Sequence, residues 1–152
     1  MSFTFKISGK NLPVMDKGME GSSCDPYFKL YVEDEKIYQS DSIKNTLEPE
    51  WEEFTLQRDE ISGTPKIIDI KMVVKDKDWG NSDDFVGQLY FKIFEQEGPI
   101  RAMSPLSLKN EDGEDAGEIF IRIEENEWAC LGGISFMSRK KKKKFDSWNK
   151  IK

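Results

Sequence analysis

Residues 73–91 read VVKDKDWGNSDDFVGQLYF. Before the aspartates, Ile68, Ile70, Met72 and Val74 alternate with Asp69, Lys71 and Lys75; after them, Leu89, Phe91 and Ile93 alternate with Tyr90 and Lys92. A period of two sends one set of side chains to a core and the other to water, which is the pattern of a half-buried strand. Between the two runs lie Asp76, Asp78, Asp83 and Asp84, interleaved with Gly80, Asn81 and Ser82. Residues of those types favour turns. The stretch therefore predicts two strands joined by an acidic loop.

The same period recurs in both directions. Phe3, Phe5 and Ile7 alternate with polar residues, as do Phe28, Leu30 and Val32, and Ile119, Ile121 and Ile123. Weaker strands are expected near residues 36–42, 52–57 and 103–108. About eight strands separated by Gly, Pro, Asn and Asp clusters, with no helical stretch before residue 125, predict an all-β fold, an eight-stranded antiparallel β-sandwich. Composition changes near Glu125. The expected division is a sandwich domain over 1–125 and a basic, aromatic C-terminal tail over 126–152, partly helical around its lysine run.

A chain of 152 residues fits one domain with a tail and buries enough surface to fold without disulfides or zinc. Histidine is absent, which removes Ser-His-Asp and Cys-His catalysis and His-ligated zinc. Cys24 and Cys130 form no disulfide framework, so a reducing, cytoplasmic compartment is expected. The opening MSFTFKISGK has no apolar signal core and no glycine at position 2, and the uncharged run 128–138 is too short to span a bilayer. The net charge of −6 hides an asymmetry: residues 128–152 carry eight basic residues and one acidic, whereas residues 1–127 carry 15 basic and 28 acidic. By itself such a body disfavours nucleic acid and anionic lipid.

A second acidic group lies in residues 14–32, VMDKGMEGSSCDPYFKLYV, with Asp16, Glu20 and Asp25. If both loops meet at one end of the sandwich, five or more carboxylates share a small volume. Two like charges about 4 Å apart cost on the order of 4 kcal/mol at an effective dielectric near 20. A hard divalent cation relieves that cost, and calcium takes oxygen ligands in flexible sites. An EF-hand is excluded: counted from Asp76, the sixth position is Asn81 and the twelfth is Gly87. An aspartyl phosphatase also places D-x-D after an apolar strand, but that chemistry belongs to a parallel sheet covered by helices. Simple solvated acidic loops stay open as the bland alternative.

Three segments, in order, resemble a C2 domain. SGKNLPVMDKGMEGSSCDPYFKLYV resembles the family's first half, with an aspartate after the leading strand and a later Asp-Pro-Tyr. KNTLEPEWEEFTL resembles its threonine-x-x-proline-x-tryptophan segment through Thr46, Pro49 and Trp51. VVKDKDWGNSDDFVGQLYF resembles its second calcium loop, and AGEIFIRIE its closing strand. The resemblance spans about residues 3–125. A chain whose first strand leads straight into the first calcium loop resembles the permuted, phospholipase-like topology of the family.

The resemblance implies calcium-dependent binding to anionic phospholipid membranes by a peripheral, non-catalytic module, expected as a monomer. Its ligand aspartates fall on Asp16, Asp25, Asp76, Asp78 and Asp84, with backbone carbonyls of Met15 and Lys77, for two or three Ca2+ ions. Asp83 either replaces a ligand or does nothing. Asp16 and Asp25 lie nine residues apart where six is common, so Glu20 is a further candidate in the longer first loop. Met19 and Trp79 are the expected membrane-contact residues, and Trp51 a structural one. Lys29 and Lys44 are the nearest matches to the phosphoinositide-binding lysines of some relatives. In the tail, Arg139, Lys140, Lys141, Lys142, Lys143 and Lys144 are flanked by Phe136, Phe145 and Trp148. Such a run suits an anionic membrane, a nuclear-localisation signal or RNA, or docking onto the acidic body. The alternative function is a calcium-independent scaffold for a protein partner, with the tail as its membrane or nuclear-targeting element.

Overall fold

The structure is a computed structural model and describes residues 2–18, 21–57, 67–78, 80, 82–94, 105–126, 142–143 and 145–146. Every element among these is a strand: β1 (Ser2–Lys10), β2 (Asp16–Gly18), β3 (Gly21–Ser23), β4 (Pro26–Val32), β5 (Glu35–Gln39), β6 (Phe54–Gln57), β7 (Ile67–Asp76), β8 (Asp84–Phe94), β9 (Leu106–Lys109) and β10 (Asp115–Asn126), followed by β11 (Lys142–Lys143) and β12 (Phe145–Asp146). Eight of them form one curled antiparallel sheet in the order β5-β4-β7-β8-β9-β10-β1-β6. Of the lysine run, Lys142 and Lys143 are described, as β11; the rest of the stretch where partial helix was expected lies outside the described residues.

Alternation produces the core. Phe3, Phe5 and Ile7 of β1, Phe28 and Leu30 of β4, Ile68, Ile70, Met72 and Val74 of β7, and Ile119, Ile121 and Ile123 of β10 are buried. The sheet folds over so that β5-β4-β7-β8 faces β9-β10-β1-β6. Its two halves join at β8 and β9, whose register contains the single pair Gln88↔Lys109. Their free edges meet through aromatic rings: Tyr38 of β5 stacks on Phe54 of β6 with centroids 3.7 Å apart, and Phe54 stacks on Phe5 at 4.9 Å.

The segment between β5 and β6 fastens the halves together. Its first part bonds to the β4 side, with Ser40 N–H to Phe28 C=O and Ile43 N–H to Pro26 C=O. Its second part bonds to the β1 side, where Gly9 N–H meets Pro49 C=O and Trp51 N–H meets Ile7 C=O. Trp51 anchors the crossing: it is 1% exposed, donates Nε1–H to Pro26 C=O at 3.1 Å and packs edge-on against Phe28.

The first strand leads into the first acidic loop, and β10, the closing strand of the sandwich, lies beside β1 through the register Ser2↔Asn126 to Lys10↔Glu118. A register shift between Val74 and Lys75 marks a bulge where β7 meets β8. It lets both Val86 and Leu89 face inward.

Gly87 sits in that bulged stretch, close against β9. A Cβ there would lie 2.7 Å from Leu108 Cγ and 2.9 Å from Lys109 C=O. Gly87→Ala is therefore expected to loosen the junction of the two halves and cost about 1–3 kcal/mol, read as a lower urea midpoint. An unchanged midpoint would show that β9 yields without penalty.

Candidate functional site

The acidic loops converge because of strand register. Pro26 opens β4 opposite Asp76, the last residue of β7, and Asp76 is in turn opposite Asp84, the first residue of β8. Three strand ends thus put Pro26, Asp76 and Asp84 in one row at one end of the sandwich, with Asp25 immediately before Pro26. The longer first loop joins them through a hairpin that the sequence pattern did not reveal. Strands β2 and β3 pair Asp16 with Ser23, Lys17 with Ser22 and Gly18 with Gly21. Paired backbones lie about 5 Å apart, so Asp16 is placed beside a residue only two positions before Asp25. The insertion is folded back on itself, and the nine-residue spacing is not a wide gap.

Asp25 connects three segments. Its N–H donates to Asp76 Oδ1 at 2.8 Å, its C=O accepts Lys77 N–H at 3.0 Å, and its own Oδ1 accepts Asn45 N–H at 2.8 Å. Asn45 has a φ of +53°, a conformation asparagine tolerates well, and the carboxylate caps that turn. The neighbouring Thr46 N–H bonds to Cys24 C=O.

Exposure grades across the site. Asp76 is fully buried at its floor, Asp25 and Asp78 are half-buried, and Asp84 is exposed at the rim. Burying a carboxylate costs several kcal/mol unless donors or a cation compensate. Met15 is packed against the core at the entrance of the first loop, and Lys77 lies between Asp76 and Asp78. The donors gathered here are carboxylate and carbonyl oxygens, which fit a hard cation such as calcium better than zinc or copper. Among the described residues, no three Asp, Glu or Cys side chains are grouped so as to hold an ion. Asp25 and Asp76 both accept backbone N–H groups of the loops themselves.

Asp83 and Tyr27 form a contact that sequence reasoning missed. Alternation sends Tyr27 to the outer side of β4, yet it is 5% exposed and its O–H donates to Asp83 Oδ2. Asp83 Oδ1 accepts Asp78 N–H at 3.0 Å, and Lys77 Nζ lies 3.9 Å from Oδ2. The Asp78 N–H first, then the Tyr27 hydroxyl, hold the Asp83 carboxyl below its usual range. Burial, then the Asp83 hydrogen bond and charge, push the Tyr27 phenol well above its usual value. The available signal was an apolar-flanked tyrosine on an otherwise polar face. Met19, Glu20, Trp79, Arg139, Lys140, Lys141 and Lys144 lie outside the described residues, as does Cys130. Lys142 and Lys143 are placed only through the backbone of β11.

An antiparallel sandwich with acidic loops gathered at one end defines a class of loop-bearing β-modules, and comparison with known proteins gives the family. The C2 domain family model matches residues 4–106. Copine-B of Dictyostelium discoideum is 32% identical over 90 residues, covering 57% of this chain and 16% of the relative. A multiple C2 and transmembrane domain-containing protein of Drosophila melanogaster is 31% identical over 119 residues, covering 76% of this chain and 12% of the relative. The chain thus spans less than a fifth of the length of these curated relatives. Among solved structures, a single C2 domain of plant extended synaptotagmin 1 superposes with a TM-score of 0.60 at 18% identity, covering 83% of this chain and 96% of that one. A calcium-bound pair of C2 domains from extended synaptotagmin 2 superposes with a TM-score of 0.57 at 22% identity, covering 81% and 44%. At these identities the structures show the fold. The chain belongs to the C2 domain family.

Because Asp25 Oδ1 caps the Asn45 turn, Asp25→Ala is expected to cost about 1 kcal/mol in chelator, while Asp25→Asn, which keeps a side-chain oxygen, costs less. Thermal melts in excess chelator measure the difference. Equal losses would show that the carboxyl charge, not the cap, matters.

Proposed function

We propose that this C2 domain binds anionic phospholipid membranes in a calcium-dependent way and acts as a non-catalytic recruiting module, peripheral to the membrane on its cytoplasmic side. The observation that carries the proposal is the register row Pro26–Asp76–Asp84, tied to Asp25 by the Asp25 N–H to Asp76 bond. Asp16, Asp25, Asp76, Asp78 and Asp84, with the carbonyls of Met15 and Lys77, are the proposed holders of two or three ions. The calcium-bound state of a structurally similar domain supports that reading.

Each calcium ion, when bound, supplies two positive charges and open coordination positions for lipid phosphate. The remaining work falls to the chain's own residues. Free of cation, Asp25, Asp76, Asp78 and Asp84 repel an anionic surface. With their charge offset, the loop end can approach phosphatidylserine head groups. By linkage, membrane then raises calcium affinity as much as calcium raises membrane affinity. Trp79 and Met19, at the loop tips in sequence, are the proposed interfacial contacts, since indole favours the head-group region. Arg139 and Lys140 to Lys144 add roughly 1 kcal/mol each near an anionic surface.

A second reading has its own support. Asp25, Asp76 and Asp83 all accept hydrogen bonds from the protein, so the loop end is shaped without an ion. Such a surface also suits a calcium-independent protein scaffold, with the tail as membrane or nuclear-targeting element.

Co-sedimentation with phosphatidylserine vesicles separates the two. Binding is expected with calcium and not with chelator, and removal of residues 128–152 weakens it without removing the calcium dependence. Asp76→Asn together with Asp78→Asn should abolish the calcium-induced rise in melting temperature while leaving a folded protein. Equal sedimentation in calcium and in chelator would favour the scaffold.

A further inference from the structure

The doubled aspartate at 83–84 divides its labour. Asp84 opens β8 opposite Asp76 and is exposed, whereas the Asp83 side chain is 16% exposed and turned to protein donors. We infer that Asp83 is a positioning residue that locks the second acidic loop against β4 and takes no place in an ion's coordination. The inference rests on the calcium reading above.

Three contacts argue for it. Asp83 Oδ1 accepts Asp78 N–H at 3.0 Å, which closes the loop between these two residues. Oδ2 accepts the Tyr27 hydroxyl, and Tyr27 lies on β4 two residues after Asp25. The same oxygen is 3.9 Å from Lys77 Nζ. Both oxygens are thereby engaged, and the donors come from the loop's own backbone and from the strand that follows the first loop. One side chain fixes Asp78, a proposed ligand, relative to Asp25, another. Ordering a loop before binding removes part of the entropy that binding would otherwise have to supply. Tyr27 acts through Asp83: it meets the carboxylate by its hydroxyl and is otherwise nearly buried.

The test compares Asp83→Ala, Asp83→Asn and Tyr27→Phe in the full chain. Amide exchange by NMR in chelator reads the latch without any metal. Exchange at Asp78 is expected to quicken about tenfold in Asp83→Ala and to stay near wild type in Asp83→Asn, whose side-chain oxygen still accepts that N–H. Calorimetric titration with calcium chloride is expected to weaken about tenfold in Asp83→Ala and about threefold in Tyr27→Phe, with the number of ions unchanged. Unchanged Asp78 exchange in Asp83→Ala overturns the latch. So does loss of one ion in both Asp83 variants with Tyr27→Phe at wild-type affinity, since Asp83 is then a ligand. If the wild-type chain takes up no calcium, the calcium reading fails by itself, and the exchange comparison still decides the latch.

Discussion

The acidic end of this sandwich depends on the backbone of Asp25. Its N–H donates to the buried carboxylate of Asp76 and its C=O receives Lys77 N–H, so the first and second loops are bonded to each other at a shared point. Asp76 is fully buried, and leaving its carboxylate without donors would cost several kcal/mol. The fold therefore cannot separate these loops cheaply. With Asn45 held by the Asp25 side chain, the segment between β5 and β6 is drawn into the same arrangement.

That local constraint works because the frame delivers the strand ends to one place. β4, β7 and β8 are neighbours, and Pro26, Asp76 and Asp84 stand in one register row. The bulge between Val74 and Lys75 falls just inside that row and lets the core alternation and the loop register coexist. At the far edges, the Tyr38–Phe54–Phe5 stack and the β5–β6 connection hold the curled sheet closed. A rigid frame carrying acidic loops is the arrangement in which loop residues vary function while strands keep shape.

The strands were legible because alternation is a physical requirement of a sheet with one wet face. Phe3-Phe5-Ile7, Ile68-Ile70-Met72-Val74 and Ile119-Ile121-Ile123 all turned inward as their spacing demanded. Short strands were placed less well: β5 ends at Gln39 and β9 begins at Leu106, because short segments carry few apolar positions. The β2–β3 hairpin was not legible, since DKG and GSS have no apolar period. The clustering of aspartates at strand ends was legible from their positions, but their hydrogen bonds were not. Tyr27 stands out in the sequence as an apolar-flanked tyrosine on a polar face, but that its hydroxyl donates to Asp83 while Asp84 is exposed was not legible, because that division depends on which way each side chain leaves the backbone.

Whether the two acidic loops act as one calcium-holding unit is decided by a calcium titration of the full chain, followed through NMR amide shifts. If they do, amides across 15–25 and 76–84 move together, over one concentration range, with the β1 and β10 strands nearly unmoved. Shifts confined to one loop, or none up to millimolar calcium, would show that they do not.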